Sequence, residues 1–402
     1  MKKIKNFRSF FPIFQKHPEL IYFDTAATSL KPYKMIEALT DFYHNNGLSI
    51  RSSNPLNLEN NKILERTRQK TAFFLKSQPE EIIFTKGATD SLNIIAQSLS
   101  SSISSQDEII VSSLEHNSSF LPWMEIANQK KAKLVFIPLD SQYQIQIDNF
   151  KEVLTHRTKI IVLTHVSNVL GHINPIREIT ALAHKTKALV ILDASQSAAH
   201  IPLNVGDLDV DFMTFSAHKV YGPFGLGILF GKNKFLKKLR PPFVGSGSIQ
   251  EIDIQKNNFL FRDSPYKWLA GTPSIANIIA WEKSLEFIEE IGLTQIFEYE
   301  KKIAQYLFNK LSQIPKIKIF TSQITNIINF NFINLHSHDI EHFLIQDNIY
   351  VRTGQFCSQL TLEQMREIST IRASVGIHNN KNDVDLLINS LYKAYNFFYF
   401  DK

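Results

Sequence analysis

Asp211-Phe212-Met213-Thr214-Phe215-Ser216-Ala217-His218-Lys219 reads as a short apolar strand ending in a hydroxyl, an imidazole and a lysine. Tyr221-Gly222-Pro223 follows, then a glycine-rich turn through Gly225 and Gly227. A lysine at a strand end can form a Schiff base with a carbonyl cofactor while Ser216 and His218 hold an anion beside it. Alone, Lys219 reads better as a surface lysine closing a strand. The segments upstream decide between the two.

From about residue 80, apolar strands over 81–84, 108–112, 134–138, 159–164 and 188–192 alternate with helical segments over 90–101, 120–131, 150–154 and 176–187. Short apolar strands alternating with helices predict an α/β fold, a mainly parallel sheet covered on both faces. Ligands of such sheets bind at the carboxyl ends of the strands. After the first strand comes Lys86-Gly87-Ala88-Thr89-Asp90, small residues opening a helix whose free N–H groups can cradle an anion. After the second comes Leu114-Glu115-His116-Asn117, after the fourth His165-Val166-Ser167-Asn168-Val169-Leu170-Gly171, and after the fifth Asp193-Ala194-Ser195-Gln196. Singly, His116 is a loop histidine and Asp193 a helix cap. Together, an anion cradle, an imidazole, an amide, a carboxylate and a lysine at successive strand ends form the constellation a cofactor requires.

At 402 residues the chain exceeds what one core usually supports, so two domains are expected. The net charge of +6 is spread thinly, and its densest basic run, 232–240, reads as a solvated helix face, so nucleic acid is not an expected partner. Met1-Lys2-Lys3-Ile4-Lys5 resembles the start of a signal peptide, but Arg8, Pro12, Lys16 and His17 interrupt any apolar core, so no secretion is expected. No apolar run approaches membrane-spanning length, and no metal site is expected. The single cysteine, Cys357, excludes an internal disulfide and fits a reducing cytoplasm.

Beyond Gly231 the pattern changes. Phe243-Val244-Gly245-Ser246-Gly247-Ser248 and Trp268-Leu269-Ala270-Gly271-Thr272-Pro273 read as loops, and a long helix runs from Pro273 to about Glu290. A second helix over 293–313, strands over 317–320, 326–332, 349–352 and 371–374, and helices from about Asp339 and Asp383 predict a smaller α+β domain. The expected division is 22–280 for the large domain, and 1–21 with 281–402 for the small one.

These loops together resemble the class V aminotransferase family of pyridoxal-phosphate enzymes, and within it the SufS-type cysteine desulfurases and selenocysteine lyase. The resemblance spans Tyr22-Phe23-Asp24 to the final helix and is carried by His165 to Gly171, Ser216 to Lys219 with Tyr221-Gly222-Pro223, Ala270-Gly271-Thr272-Pro273 and Val351-Arg352-Thr353-Gly354. It implies fold type I, with a mainly parallel seven-stranded sheet in the large domain. It also implies that Lys219 holds pyridoxal phosphate and moves protons at the substrate α-carbon. Asp193 would pair with the pyridine nitrogen, His116 would stack on the ring and exchange protons, and Gln196 would reach the ring hydroxyl. Ala88, Thr89, Ser216 and His218 would bind the phosphate, and Thr272 would complete that site in the neighbouring subunit of a homodimer. Arg372, with Asn168 and Arg352, would grip the substrate carboxylate. Cys357 falls at the nucleophile position, implying L-cysteine (or L-selenocysteine) as substrate, a persulfide on Cys357, and a SufE- or SufU-type acceptor feeding iron–sulfur cluster assembly.

The chain departs from the family at three places. Gln355-Phe356 stands where two histidines usually precede the nucleophile, Ile50-Arg51-Ser52-Ser53-Asn54 replaces a His-Arg-Gly-Ile-His stretch, and Lys86 replaces an arginine. The cofactor set is complete, so the departures bear on thiol deprotonation and sulfur handover. Two other readings are a selenocysteine lyase and a weakly catalytic scaffold in a cluster-assembly complex.

Overall fold

The computed structural model describes residues 7–400; the lysine-rich start, Met1 to Lys5, lies outside them. The first strand, β1 (Ile21–Tyr22), leads into the loop that carries Asp24. The large sheet then takes β2 (Ile82–Thr85), β3 (Glu108–Ser112), β4 (Lys133–Ile137), β5 (Thr158–Thr164), β6 (Leu189–Asp193), β7 (Phe212–Ser216) and β8 (Gly227–Gly231), in the spatial order β2-β8-β7-β6-β5-β3-β4. β3, β4, β5, β6 and β7 pair in parallel, and β8 runs antiparallel to both its neighbours. A parallel crossover needs about a dozen residues or more. The 217–226 connection supplies fewer, so β8 folds straight back on β7.

The alternation of side chains along each strand divides the apolar residues between two faces. Ile110, Ile161, Val190 and Met213 enter one buried cluster, while Ile109, Ile160, Ile191 and Phe212 enter another. With helices on both faces, β3, β6's last four residues, β7 and β8 are buried throughout, which explains their continuous apolar runs. The intervening helices, Ala88–Ser100, Asn117–Lys130, Ile147–Val153 and Ile176–Lys185, fall where the alternation places them, with starts two or three residues earlier for the first three.

Several segments had no counterpart in the sequence reading, among them a helix and a hairpin. The helix Tyr33–Asn45 packs against the long helix Ile275–Ile291. An antiparallel hairpin, β9 (Ile249–Asp253) with β10 (Asn258–Phe261), follows the glycine–serine loop. Its turn contains no glycine, and Asn257 takes the left-handed conformation instead.

The C-terminal part has its own sheet of β11 (Ile317–Ile319), β12 (Ile327–Phe332), β14 (Arg352–Gly354) and β15 (Thr370–Ser374), ordered β11-β12-β15-β14 and antiparallel throughout. Helices Leu293–Leu311, Ser337–Gln346 and Lys381–Tyr399 back it with Ile303, Leu307, Ile340, Leu344, Leu387 and Leu391, a buried cluster separate from those of the large sheet. The single strand expected over 349–352 is two: β13 (Ile349–Tyr350) pairs in parallel with β1, and β14 leaves it to pair with β15. This break turns the chain after β14 back toward the large sheet. Asp24 bridges to Ser374, so the segment after β1 lies on the same edge.

Candidate active site

Lys219 ends a single 3-10 turn, Ala217–Lys219, at the carboxyl end of β7. The turn is fixed by Ala217 N–H donating to Leu226 O at 2.9 Å and by Gly222 N–H donating to Ala217 O at 2.9 Å. A Cβ on Gly222 would meet that carbonyl oxygen at 2.8 Å, so glycine is needed for the turn to close. Burial draws the Lys219 amine below its ordinary pKa; Asp193 opposes this, Arg372 adds to it, and Cys357 and Asp24 oppose it. Those four neighbours come from β6, β15, the loop after β14 and the loop after β1. Groups expected at separate points of the sequence therefore act on one amine.

His116 caps the helix Asn117–Lys130, its Nδ1 accepting from Ser118 N–H at 3.1 Å. That bond leaves the ring proton on Nε2. Burial and then Lys219 lower the imidazole's pKa, with Asp193 opposing and Arg372 adding, so the ring is neutral. Beneath it Glu115 is buried and accepts from Ser112 Oγ (2.7 Å), Ser119 Oγ (2.8 Å) and Thr164 N–H (3.0 Å). Asp193 Oδ1 accepts from Ser195 N–H at 2.9 Å, and Gln196 donates to Ala26 O at 2.8 Å. The Gln196 amide oxygen is buried and finds no partner among the described residues.

At the other end of the site the helix Ala88–Ser100 begins with Ala88 N–H donating to Ser216 Oγ at 2.8 Å. Thr89 Oγ1 lies 2.7 Å from Ser118 Oγ, so two helix N-termini meet there with hydroxyls between them. A Cβ on Gly227 would lie 2.4 Å from Thr85 Oγ1 and 2.5 Å from the Gly87 carbonyl carbon, so β8 must carry glycine for this end to form. His218 is turned toward Thr28, with Nδ1 3.2 Å from its Oγ1, and stacks on Phe224 at 5.2 Å between centroids. Burial, then Lys219 and Lys31, depress its pKa to about 4, so it offers an anion a neutral N–H rather than a charge. Lys31, whose amine burial lowers to about 7, donates to His218 O at 2.7 Å.

The third side of the site is built on Arg372, which is 3% exposed on β15. Its Nη1 donates to Asn168 O at 2.8 Å and its Nη2 to Asp24 Oδ1 at 3.1 Å, while its Nε has no partner among the described residues. Arg352, half exposed, reaches Asp24 Oδ2 at 3.0 Å. Asn168 also grips the loop that carries the thiol: its Nδ2 donates to Phe356 O at 3.0 Å, and its Oδ1 accepts from Ser358 Oγ at 3.0 Å. Asn117 N–H donates to Cys357 O at 2.8 Å, tying that loop to the residue beside His116. Cys357 itself is exposed.

Thr272 stands elsewhere, exposed on the turn before the long helix, where Arg51 donates to Gly271 O and to Ser246 Oγ. Asp24, Glu115 and Ser118 were given no role in the sequence reading, although Asp24 contacts Arg372, Ser118 contacts Thr89 and His116, and Glu115 precedes His116 in the chain. Among the described residues no group of three His, Cys, Asp or Glu could hold a metal ion, and no helix is long and apolar enough to cross a membrane.

The residues fit pyridoxal phosphate. A depressed lysine amine suits its carbonyl, Asp193 its ring nitrogen, the unpartnered Gln196 oxygen its ring hydroxyl, and the paired helix N-termini with Ser216 and Thr89 its phosphate.

The family model for aminotransferase class-V matches residues 21–387. The chain belongs to that family. Among class V relatives it is 36% identical over 383 residues to a probable cysteine desulfurase of Halalkalibacterium halodurans, covering 94% of each chain. It is 34% identical to the cysteine desulfurase of Wigglesworthia glossinidia brevipalpis, covering 98% of each. The crystal structure of the cysteine desulfurase CsdA (S-sulfonic acid) from Escherichia coli superposes with a TM-score of 0.91 at 33% identity, over 97% of each chain. The class V resemblance, its fold type I architecture and pyridoxal phosphate as the cofactor are thereby borne out.

Proposed function

We propose that this class V protein is a pyridoxal-phosphate-dependent cysteine desulfurase of SufS type, converting L-cysteine to L-alanine and leaving the sulfur as a persulfide on Cys357. The observation that carries the reading is the tethering of the single cysteine's loop to Asn117 and Asn168. That loop borders the same pocket as the Lys219 amine, whose pKa Cys357 influences.

When bound, the cofactor supplies a carbonyl for the amine and an electron sink for charge developing at the substrate carbons. Lys219 holds it and, as a largely desolvated amine, takes and returns the proton at the substrate α-carbon. Asp193 would pair with a positive ring nitrogen, and His116 would offer its Nε2 proton. Arg372, with Asn168 and Arg352, orients the substrate carboxylate. The Cys357 thiolate attacks the substrate sulfur, forming the S–S bond. The Cβ–S bond breaks with its electron pair passing to carbon, which is then protonated to alanine.

The same reading makes the protein a cytoplasmic homodimer in which Thr272 of one subunit completes the phosphate site of the other. It divides each subunit into 22–280, and 1–21 with 281–402. A SufE- or SufU-type acceptor would take the sulfur for iron–sulfur cluster assembly.

The test is L-cysteine added to cofactor-loaded protein beside a Cys357→Ala variant, with alanine and Cys357 persulfide both quantified. Equal amounts of the two that vanish in the variant are expected. Alanine formed independently of Cys357 would point instead to a lyase, and no product from either protein to a scaffold.

A further inference from the structure

Arg352 and Arg372 are direct cross-strand partners in the antiparallel pair β14–β15. Like charges placed opposite each other on neighbouring strands destabilise a sheet. Both arginines are held by one carboxylate brought in from a third element: Asp24 spends Oδ1 on Arg372 at 3.1 Å and Oδ2 on Arg352 at 3.0 Å. Asp24 is itself 7% exposed and anchored through its backbone bridge to Ser374, two residues from Arg372. A pair of arginines with one aspartate leaves a net charge of 2 − 1 = +1 at this end of the pocket. Arg372 Nε, buried with no partner among the described residues, marks where a further acceptor belongs.

We propose that Asp24 is a positioning and specificity-determining residue. Its carboxylate holds the two guanidinium groups side by side and sets their net charge to match one substrate carboxylate. The inference rests on the reading above in which Arg372 binds that carboxylate. A residual charge of +1 is neutralised by a monoanion, and a dianion would leave an uncompensated negative charge in a largely buried place. Asp24 therefore selects an amino acid whose only anionic group is its α-carboxylate.

The test measures binding of propionate and of succinate to the cofactor-loaded protein by calorimetry, together with KM and kcat for L-cysteine. The variants are Asp24→Asn, Arg352→Gln, their double and Arg372→Gln. Asp24→Asn raises KM about tenfold with a smaller change in kcat, because the arginines lose their alignment. It also lowers the ratio of succinate to propionate dissociation constants at least about threefold, because the site becomes +2. The double variant, again +1, brings that ratio back toward the starting value, which a purely structural role of Asp24 would not do. An unchanged ratio in Asp24→Asn, or no return in the double variant, overturns the inference while leaving the substrate-carboxylate reading standing. Unchanged propionate binding in Arg372→Gln overturns that reading, and the inference with it.

Discussion

Asn168 binds the carbonyl oxygen of Phe356 through its side-chain nitrogen at 3.0 Å, and its own carbonyl accepts from Arg372 at 2.8 Å. One residue in the loop after β5 therefore holds both the thiol-bearing loop and the arginine proposed to orient the substrate. The loop needs holding, because Phe356 and Cys357 both take left-handed backbone conformations, with φ of 55° and 52°. Each costs about 1–2 kcal/mol outside glycine. The Phe356 ring lies against Arg372, whose guanidinium carbon is 4.9 Å from the ring centroid.

Replacing Asn168 with alanine removes the Phe356 and Ser358 bonds together and lets the loop relax. The expected result is iodoacetamide labelling of Cys357 that is severalfold faster, persulfide formation at least about tenfold slower, and a stability loss of about 1–2 kcal/mol. Unchanged labelling would show that the remaining contacts, Asn117 to Cys357 and Arg372 to Phe356, suffice to order the loop.

Gly227→Ala should damage the opposite end of the pocket. The new methyl group would sit 2.4 Å from Thr85 Oγ1 and 2.5 Å from the Gly87 carbonyl carbon, both on the approach to the helix that starts at Ala88. Backbone cannot yield as a flexible side chain does, so a cost of about 1–3 kcal/mol is expected. The same displacement should weaken cofactor retention, read as loss of cofactor absorbance on dialysis. A variant of full stability and full cofactor content would mean that β8 and the Ala88 helix can separate without harm.

The legible part of the site was the part lying at strand ends. Parallel strands deliver their carboxyl ends to one edge, so Asp193, Ser216 and Lys219 could be grouped from local sequence alone. Asp24 could not, because its arginine partners belong to strands that only the folded small sheet brings near; Arg372 is 348 residues away in sequence. Asn168 was recognised as a strand-end residue, but its hold on Phe356, 188 residues on, leaves no local pattern. The division of 349–352 into two strands was hidden for a related reason. Ile349 and Tyr350 find their partner in β1 at the far end of the chain, and Arg352 finds its own in β15.

Glu115 gives a pH-dependent test of the floor beneath His116. Burial pushes its carboxyl up to about 7, against the lowering effect of bonds from Ser112, Ser119 and Thr164. Its folded pKa lies above the ordinary 4.5, so its contribution to stability is complete below about 4.5 and is lost as pH rises through about 7. Glu115→Gln mimics the protonated side chain and removes that dependence. Denaturant unfolding should show the variant's deficit relative to the parent shrinking between pH 5 and pH 8, by up to about 3 kcal/mol. A deficit that grows over this range would contradict a raised Glu115 pKa.

Two buried histidines act in the opposite sense. Burial depresses His165 and His378 to about 4, from an ordinary 6.5. His165 lies in the loop after β5, and His378 Nε2 donates to Tyr22 O at 2.9 Å beside Phe11 and Phe14. Between about pH 6.5 and 4 the unfolded chain binds these two protons and the folded chain does not. Their stabilising contribution is therefore complete above about 6.5 and falls as pH drops through that window, by about 1.4 kcal/mol per pH unit for each histidine. His378→Asn should keep a neutral polar group at Tyr22 O while removing one of the two protons. Its unfolding free energy, measured from pH 7 to pH 4.5, should then fall less steeply than the parent's, with the two curves converging toward the acid end. Parallel curves would mean that His378 titrates normally in the folded protein and that the packing of Phe11, Phe14 and Tyr22 around it admits a charge.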